Sequence, residues 1–498
     1  MLLGDWGKKR AGPRAVKPAA MMAGLACCAV LARLPFLSNA GVDESYYLVV
    51  GRQWLEGTPP YAGAFDVKPP LLFALMAGAE AVFGPALLAA KALAAAAVAA
   101  TACGLYLFGR RLTGELSGLA AALFYIPASL TLGGSYSPAE LLMAPCTTFG
   151  MLLGAGAALA ERPRPMLLLA AGLLLGAAAC VKQTALFETA ALVLFLGASL
   201  SLGRGMNAIA RLGTGLIAVP AGFALYFFAQ GHLDALLADA VLGAIGRARA
   251  GYISWSDATE RFLFELLFAL PLVIMAAAVF ARRSAYRGQP AYPAIKFLMI
   301  WAASALAAVF AERAICDFYM LAALPPLCSL SGVFLQHGIE RFPGRRPWQA
   351  RAVAFGCAML FLASLPVDGR ADGAGGAAKA AAAMKEAGLN RGDRILIADR
   401  DLVVYLAASA DPMGPIFHPL QLFCEFALPG AGEALADALK SRPLFIVATE
   451  PRVHLGCEKE GRSALLDDAL AKDYRAIGLF GEPVAGERPR SFAVYRRL

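Results

Sequence analysis

Apolar stretches of about span length recur along the chain as far as residue 367, and no other feature constrains the fold as strongly. A helix needs about 20 mostly apolar residues, within a range of about 17–25, to cross a bilayer. Inside the hydrocarbon only structures that satisfy their own backbone hydrogen bonds survive, so long apolar stretches of this kind read as spanning helices. They lie at 18–36, 85–108, 112–132, 139–160, 166–181, 184–203, 208–230, 261–281, 294–311, 318–337 and 351–367, eleven in all. One further stretch, Pro70–Gly84, is short for a span and reads as an interfacial or re-entrant helix. Counting marginal stretches of this kind as crossings would raise the total to twelve or thirteen. Composition agrees: 59% of the 498 residues are hydrophobic and 16% charged, whereas a soluble domain averages about 45–50% and about 25%.

Charge placement supplies an orientation. Basic residues near span ends concentrate on the cytoplasmic side. With the N-terminus inside and eleven spans, the inside segments hold 18 Lys and Arg, from Lys8, Lys9 and Arg10 through Arg110 and Arg111 to Arg345 and Arg346. The outside loops hold six: Arg52, Lys68, Lys182, Arg247, Arg249 and Arg313. Making Pro70–Gly84 a crossing would put Arg110, Arg111 and every later basic cluster outside, so the asymmetry favours eleven. The first apolar segment ends at Arg33-Leu34-Pro35 without a small-residue cleavage site and reads as a retained anchor. The formal net charge of +9 therefore marks the cytoplasmic loops and calls for no nucleic acid partner.

Residues 1–367 form a multi-span membrane domain with a large first external loop, 37–69, and 368–498 form a mixed, polar tail with 17 Lys and Arg against 18 Asp and Glu. Strand-like runs at 394–398, 443–448 and 491–495, with helical stretches at Ala377–Ala387 and Gly432–Lys440, predict a small α/β domain. The fold class is thus an α-helical polytopic membrane protein with a C-terminal extracytoplasmic α/β domain. With eleven spans that domain lies in the periplasm of a two-membrane bacterium, and the chain belongs to the inner (plasma) membrane. Cys424 and Cys457 would then face an oxidising compartment, with pairing and two free thiols equally open.

The polar residues suited to chemistry collect on the outer side. Asp43, Glu44, Tyr46 and Tyr47 follow the first span, Tyr61 and Lys68 follow in the same loop, Glu140 opens a later span, Lys182 sits at an outer turn, and Arg313 and Tyr319 precede another span. A carboxylate can act as a base or ligand, and Lys supplies a point charge for a phosphate. Surface pairs, helix capping and membrane-edge anchoring are the bland explanations for each residue alone. The four His residues are scattered without zinc spacing, and neither Gly-x-x-x-x-Gly-Lys-Ser/Thr nor Gly-x-Ser-x-Gly occurs, so nucleotide-driven and serine-hydrolase readings have little support.

The first loop also carries a resemblance. Asp43-Glu44-Ser45-Tyr46-Tyr47, Gly57-Thr58-Pro59-Pro60-Tyr61 and Lys68-Pro69-Pro70-Leu71 resemble the opening of bacterial members of the protein O-mannosyltransferase and lipid A aminoarabinose transferase superfamily, which are GT-C glycosyltransferases. Phe108–Leu112, Ser137-Pro138-Ala139-Glu140 and Lys182-Gln183-Thr184-Ala185-Leu186 continue it. The resemblance implies transfer of a sugar from a polyprenyl-phosphate donor to a lipid, glycan or protein hydroxyl by inverting displacement on the outer face. It implies Asp43 as general base, Glu140 as a second acidic position holding sugar or acceptor, and Lys68 and Arg313 near the donor phosphate. Glu44, Tyr46, Tyr47, Tyr61, Lys182 and Tyr319 then line the substrate. The chain departs from the pattern at Asp317-Phe318-Tyr319, where many relatives carry a His-Tyr pair. No cofactor is required, because the donor is already activated; a divalent cation shared by two carboxylates is the less favoured alternative. A transporter or flippase of a lipid-linked or anionic solute is the competing class, though it would more often show two related halves.

Overall fold

Helices dominate the computed structural model, which describes residues 17–498 except 85, 162–163, 251–252, 314–316, 341–372, 399–401, 425–430, 451–460 and 481–490. In chain order the helices are α1 (Pro18–Leu31), α2 (Val42–Leu55), α3 (Pro70–Phe83), α4 (Leu87–Phe108), α5 (Glu115–Thr131), α6 (Ala139–Ala158), α7 (Pro165–Val181) and α8 (Ala185–Ser199). They continue with α9 (Leu202–Ala229), α10 (Leu233–Leu236), α11 (Ala244–Ala250), α12 (Trp255–Phe268), α13 (Leu270–Ala281), α14 (Tyr292–Ala311) and α15 (Leu324–Glu340). The tail adds α16 (Gly373–Glu386), α17 (Val403–Ala408), α18 (Pro419–Phe423), α19 (Ala431–Lys440) and α20 (Arg462–Asp473).

Ten of the eleven expected spans fall on these helices, and the eleventh, 351–367, lies outside the described residues. Among the described residues, five helical stretches are long and apolar enough to cross a membrane: Pro18–Phe36, Leu87–Thr113, Ala139–Ala158, Leu202–Ala229 and Tyr292–Ala311. The pair α12 and α13 meets the same test together but bends by 95°. The break falls where Pro271 opens α13; its ring cannot donate the hydrogen bond that would continue the preceding helix. The protein is a multi-pass membrane protein. The stretch at Pro70 forms α3, whose 14 residues span only about 21 Å, short of a hydrocarbon core of about 30 Å. Pro70 pre-sets the first turn, and the helix ends at Gly84 with φ +81°, a conformation that side-chain-bearing residues rarely adopt.

The described residues divide into two compact units. One comprises Met1–Leu34, Ala94–Phe223 and Ile253–Pro366; the other comprises Pro35–Leu93, Ala224–Tyr252 and Val367–Leu498. In the first, α5, α6, α8, α13, α14 and α15 contribute to one apolar core, with Trp301, Phe297, Phe195 and Phe108 among its largest buried side chains. The Trp301 indole donates to Glu188 (2.5 Å), which satisfies the polar edge of a buried ring. Small residues permit close helix approach, as between membrane helices generally: a methyl added at Gly172 of α7 would stand 2.1 Å from the Leu212 carbonyl of α9. Arg33 donates to the Gly134 carbonyl (2.5 Å) and to Ser129 Oγ (3.2 Å), tying the end of the first apolar segment to the loop before α6.

In the second unit the tail forms a five-stranded sheet: β1 (Arg394–Ile397), β2 (Asp411–Pro412), β3 (Phe445–Glu450), β4 (Tyr474–Phe480) and β5 (Ser491–Arg497), ordered β2-β1-β3-β5-β4. β1 runs parallel to β2 and β3, with Leu396 opposite Ile446, while β5 pairs antiparallel with β3 and β4. Leu396, Ile446, Ala448, Leu466 and Leu470 build its core. The three expected strands are present; β2 and β4 are additions. The tail shares its compact unit with the first loop, which brings residues of α2 beside α17 and α18.

Candidate active site

Gly41 is extended and caps α2, and Asp43 and Glu44 occupy its first turn, where the partial positive charge of the helix end favours carboxylates. Adjacent helical residues point about 100° apart, so the two carboxylates diverge. Glu44 is buried, accepts from the Gly41 amide (3.3 Å) and pairs with Lys91 Nζ (2.9 Å). Asp43 remains 34% exposed and accepts from the Tyr47 hydroxyl (3.3 Å) and from His418 Nε2 (3.2 Å).

The histidine's tautomer follows from its other contact. His418 Nδ1 accepts from the Leu420 amide (3.2 Å) at the start of α18, so the ring proton of the neutral form sits on Nε2, facing Asp43. Tyr46 packs its ring against Phe417 (4.6 Å) and His418 (5.2 Å) and donates to the Phe65 carbonyl (2.5 Å), to which Gln421 also donates (3.1 Å). These contacts fix the imidazole in plane and position. Burial alone would raise the Asp43 carboxyl; the His418 hydrogen bond and charge, Lys68 and Arg247 outweigh it and hold Asp43 at about 2. It is therefore ionised throughout the physiological range. Because its folded pKa lies below the unfolded value, the stabilisation is present above about pH 4 and fades as pH falls toward 2.

The rest of the first loop is ordered around this carboxylate. Tyr61 adopts φ +69° and donates to the Lys68 carbonyl (2.7 Å), with its ring against Phe73 (6.3 Å) and Phe227 (5.5 Å). The Lys68 amide donates to Asp66 Oδ1 (2.9 Å). Burial raises Asp66 above the ordinary carboxyl range, with Lys68 opposing. Lys68 itself is 8% exposed. The loop thus places one ionised carboxylate and one ammonium in electrostatic reach of each other.

The remaining expected residues belong to the other unit. Lys182, between α7 and α8, donates to Glu140 of α6 and to Glu312 Oε1 at the end of α14 (2.7 Å), and lies 3.9 Å above the Tyr319 ring. Burial alone would lower its pKa, yet the two carboxylates raise it, so the ammonium stays charged. Glu140, Lys182 and Tyr319 are therefore brought together. Arg313 stands apart from them in contact: its guanidinium stacks on Trp255 (4.7 Å) and donates to the Ile253 carbonyl (3.2 Å). Among the described residues, no three His, Cys, Asp or Glu side chains gather closely enough to hold a metal ion.

His418 and Glu312 are the residues that sequence reasoning passed over. His418 lies 375 positions from Asp43, and its one local cue is the His-Pro step at a helix start. His418→Ala should cost some stability, since the ring is buried and caps α18, and should release Asp43 from its donor. Transfer should fall about tenfold, and any acid limb of the pH–rate profile should move upward from about pH 2; an unchanged rate and profile would remove the positioning role.

No protein-family model and no curated protein matches the sequence. Solved structures do. ArnT from Cupriavidus metallidurans bound to undecaprenyl phosphate superposes with a TM-score of 0.62 at 14% identity, over 96% of this chain and 97% of that one. The chain has the GT-C fold. Two further structures share it. The arabinofuranosyltransferase AftD from Mycobacteria gives a TM-score of 0.56 at 15% identity, over 98% of this chain and 40% of that one. The archaeal oligosaccharyltransferase AglB from Archaeoglobus fulgidus, in complex with an inhibitory peptide and a dolichol-phosphate, gives 0.50 at 13% identity, over 86% and 69%. At these identities the GT-C likeness is one of fold.

Proposed function

We propose that this protein is an integral membrane glycosyltransferase of the inner (plasma) membrane. It moves a sugar from a polyprenyl-phosphate donor to a lipid, glycan or protein hydroxyl on the outer face, with inversion at the anomeric carbon. The observation that carries this reading is Asp43: an ionised, partly exposed carboxylate, oriented by His418 and Tyr47, with the Lys68 charge acting on it. The full-length fold likeness to a transferase solved with undecaprenyl phosphate supports the donor class. It also weighs against the transporter alternative.

In the proposed reaction the acceptor oxygen attacks the anomeric carbon as the bond from that carbon to the phosphate oxygen breaks. The acceptor proton passes to Asp43, and the polyprenyl phosphate leaves with the bonding electrons. A base must sit within about 2.6–3.2 Å of the proton it takes. At a pKa of about 2, Asp43 is a weak base, so it orients the hydroxyl first and receives the proton late, once the oxygen has become acidic. Lys68 stabilises charge developing on the departing phosphate. Glu140, held by Lys182, is read as the second acidic position, and Arg313 as a further basic one. Glu44 acts through its ion pair with Lys91, fixing the start of α2. Tyr46, Tyr47 and Tyr61 hold the loop that carries Asp43 and Lys68. The N-terminus is placed in the cytoplasm and the tail outside, where a disulfide such as the one at Cys424 persists; Cys457 lies outside the described residues.

Lys68→Ala should weaken binding of a polyprenyl-phosphate sugar by about tenfold while leaving acceptor binding unchanged, consistent with loss of one charge-assisted contact. Equilibrium binding of a labelled donor to the protein in nanodiscs reads this directly, and an unchanged donor affinity would exclude the phosphate role. Comparing glycolipids and glycoproteins by mass spectrometry with and without the gene identifies the sugar and acceptor; identical profiles under expressing conditions would count against transfer.

A further inference from the structure

A second polar cavity, independent of Asp43, lies in the unit that contains the tail. Its volume is about 190 Å³, and Arg52, Leu55, Glu56, Glu80, Arg391 and Asp411 are among the residues that line it. Asp43, Lys68 and His418 do not line it. One wall is the close approach of α2 and α3: a methyl added at Gly51 would stand 2.9 Å from the Ala77 amide nitrogen. One turn beyond Ala77, α3 presents Glu80 to the cavity.

Glu80 is 3% exposed, and neither of its carboxylate oxygens has a hydrogen-bond partner among the described residues. An unpaired buried carboxylate is costly, whereas a cation that reaches it recovers that cost. The nearest cationic lining residue is already committed: Arg52 donates to the Ala410 carbonyl (2.6 Å), the Tyr405 carbonyl (3.3 Å) and Asp411 Oδ1 (3.1 Å). Arg52 and Asp411 offset each other in formal charge, as do Arg391 and Glu56, so Glu80 decides the sign: burial pushes its carboxyl up to about 7, and a bound cation would favour its ionised form. The cavity therefore suits a small cationic group with hydrogen atoms to donate to both oxygens. Its volume is below that of ordinary drug-sized pockets, about 300 Å³ and upward, which restricts the occupant to a headgroup-sized fragment. Leu55, which lines it, is 53% exposed, and Phe83, three residues after Glu80 on α3, is 51% exposed; both offer apolar surface for an acyl chain.

We propose that this cavity binds a primary ammonium group, carried by an amine-bearing phospholipid or by a soluble amine, with Glu80 as its carboxylate partner. The apolar margin favours the lipid as the source. Phosphatidylcholine provides the control, because its quaternary nitrogen has the same charge and no N–H to donate.

The full-length protein in nanodiscs of equal phosphatidylethanolamine, phosphatidylcholine and phosphatidylglycerol content should retain phosphatidylethanolamine over phosphatidylcholine by about tenfold, read by native mass spectrometry. Glu80→Gln should abolish that preference. Arg391→Glu, at the exposed rim where folding is insensitive to the change, should strengthen it several-fold. Ethanolamine should displace the retained lipid; ethanolamine binding without any lipid preference would make the source soluble and leave the ammonium site standing. Equal retention of both lipids with no ethanolamine binding would mean that the cavity holds water only. Unchanged selectivity in Glu80→Gln, or in Arg391→Glu where Glu80→Gln does not fold, would also overturn the proposal.

Discussion

Asp43→Asn is expected to abolish sugar transfer while donor binding and the folded state persist. The amide has the carboxylate's shape: its oxygen can still accept from His418 Nε2, while its nitrogen replaces Oδ2 and can donate to the Tyr47 hydroxyl oxygen, so the start of α2 keeps both partners. What the amide cannot do is take a proton or carry the charge that orients an acceptor hydroxyl. Loss of a general base costs about 10²–10⁴ in rate, or about 3–5 kcal/mol of transition-state stabilisation. Transfer measured in membranes with a labelled polyprenyl-phosphate sugar, beside donor binding on the same preparation, separates a chemical defect from a folding one. Full activity in Asp43→Asn would remove Asp43 as the base.

The largest stability effect is expected at Lys182. Its ammonium is 4% exposed and is the shared partner of Glu140 and Glu312. Lys182→Met keeps much of the stem but leaves two carboxylates facing each other without their cation. Removing one partner of a buried ion pair costs about 3–5 kcal/mol, and here two anions are left behind. The variant should therefore lose most of its thermal stability in detergent. The double variant Lys182→Met with Glu140→Gln should recover part of it, because one of the stranded charges is gone. Equal stability of wild type and Lys182→Met would mean that the three groups are not a structural cluster.

Much of the architecture was legible because a bilayer imposes one requirement, a long run of apolar residues, that can be read without knowing any contact. Of the helices from α1 to α15, all but α2, α10 and α11 fall on the apolar stretches; those three lie in segments that read as external loops. In the tail, β1 and β3 contain the apolar runs Ile395-Leu396-Ile397 and Phe445-Ile446-Val447-Ala448, and β5 the run Phe492-Ala493-Val494-Tyr495, so all three were legible from composition. β2 is two residues long, and β4 carries the mixed pattern of an edge strand with exposed positions, so neither has a signal in composition. The site divides similarly. Asp43, Lys68 and Glu140 could be picked out as polar residues at the edges of apolar segments. Their partners could not. His418 reaches Asp43, and Asp411 reaches Arg52, across more than 350 positions, and no local periodicity encodes such pairings. The Asp43-Glu44 pair read as one acidic feature in sequence; on a helix it separates into a partly exposed carboxylate and a buried one held by Lys91.

Release of the lipid carrier tests the central claim most directly. The purified protein, reconstituted in liposomes with a polyprenyl-phosphate-linked sugar and an acceptor extract from its own membrane, should release free polyprenyl phosphate in equal amount to glycosylated product. The new glycosidic bond should have the opposite anomeric configuration to the donor. Movement of the intact donor across the bilayer, with no polyprenyl phosphate released, would contradict the account and assign the protein to transport.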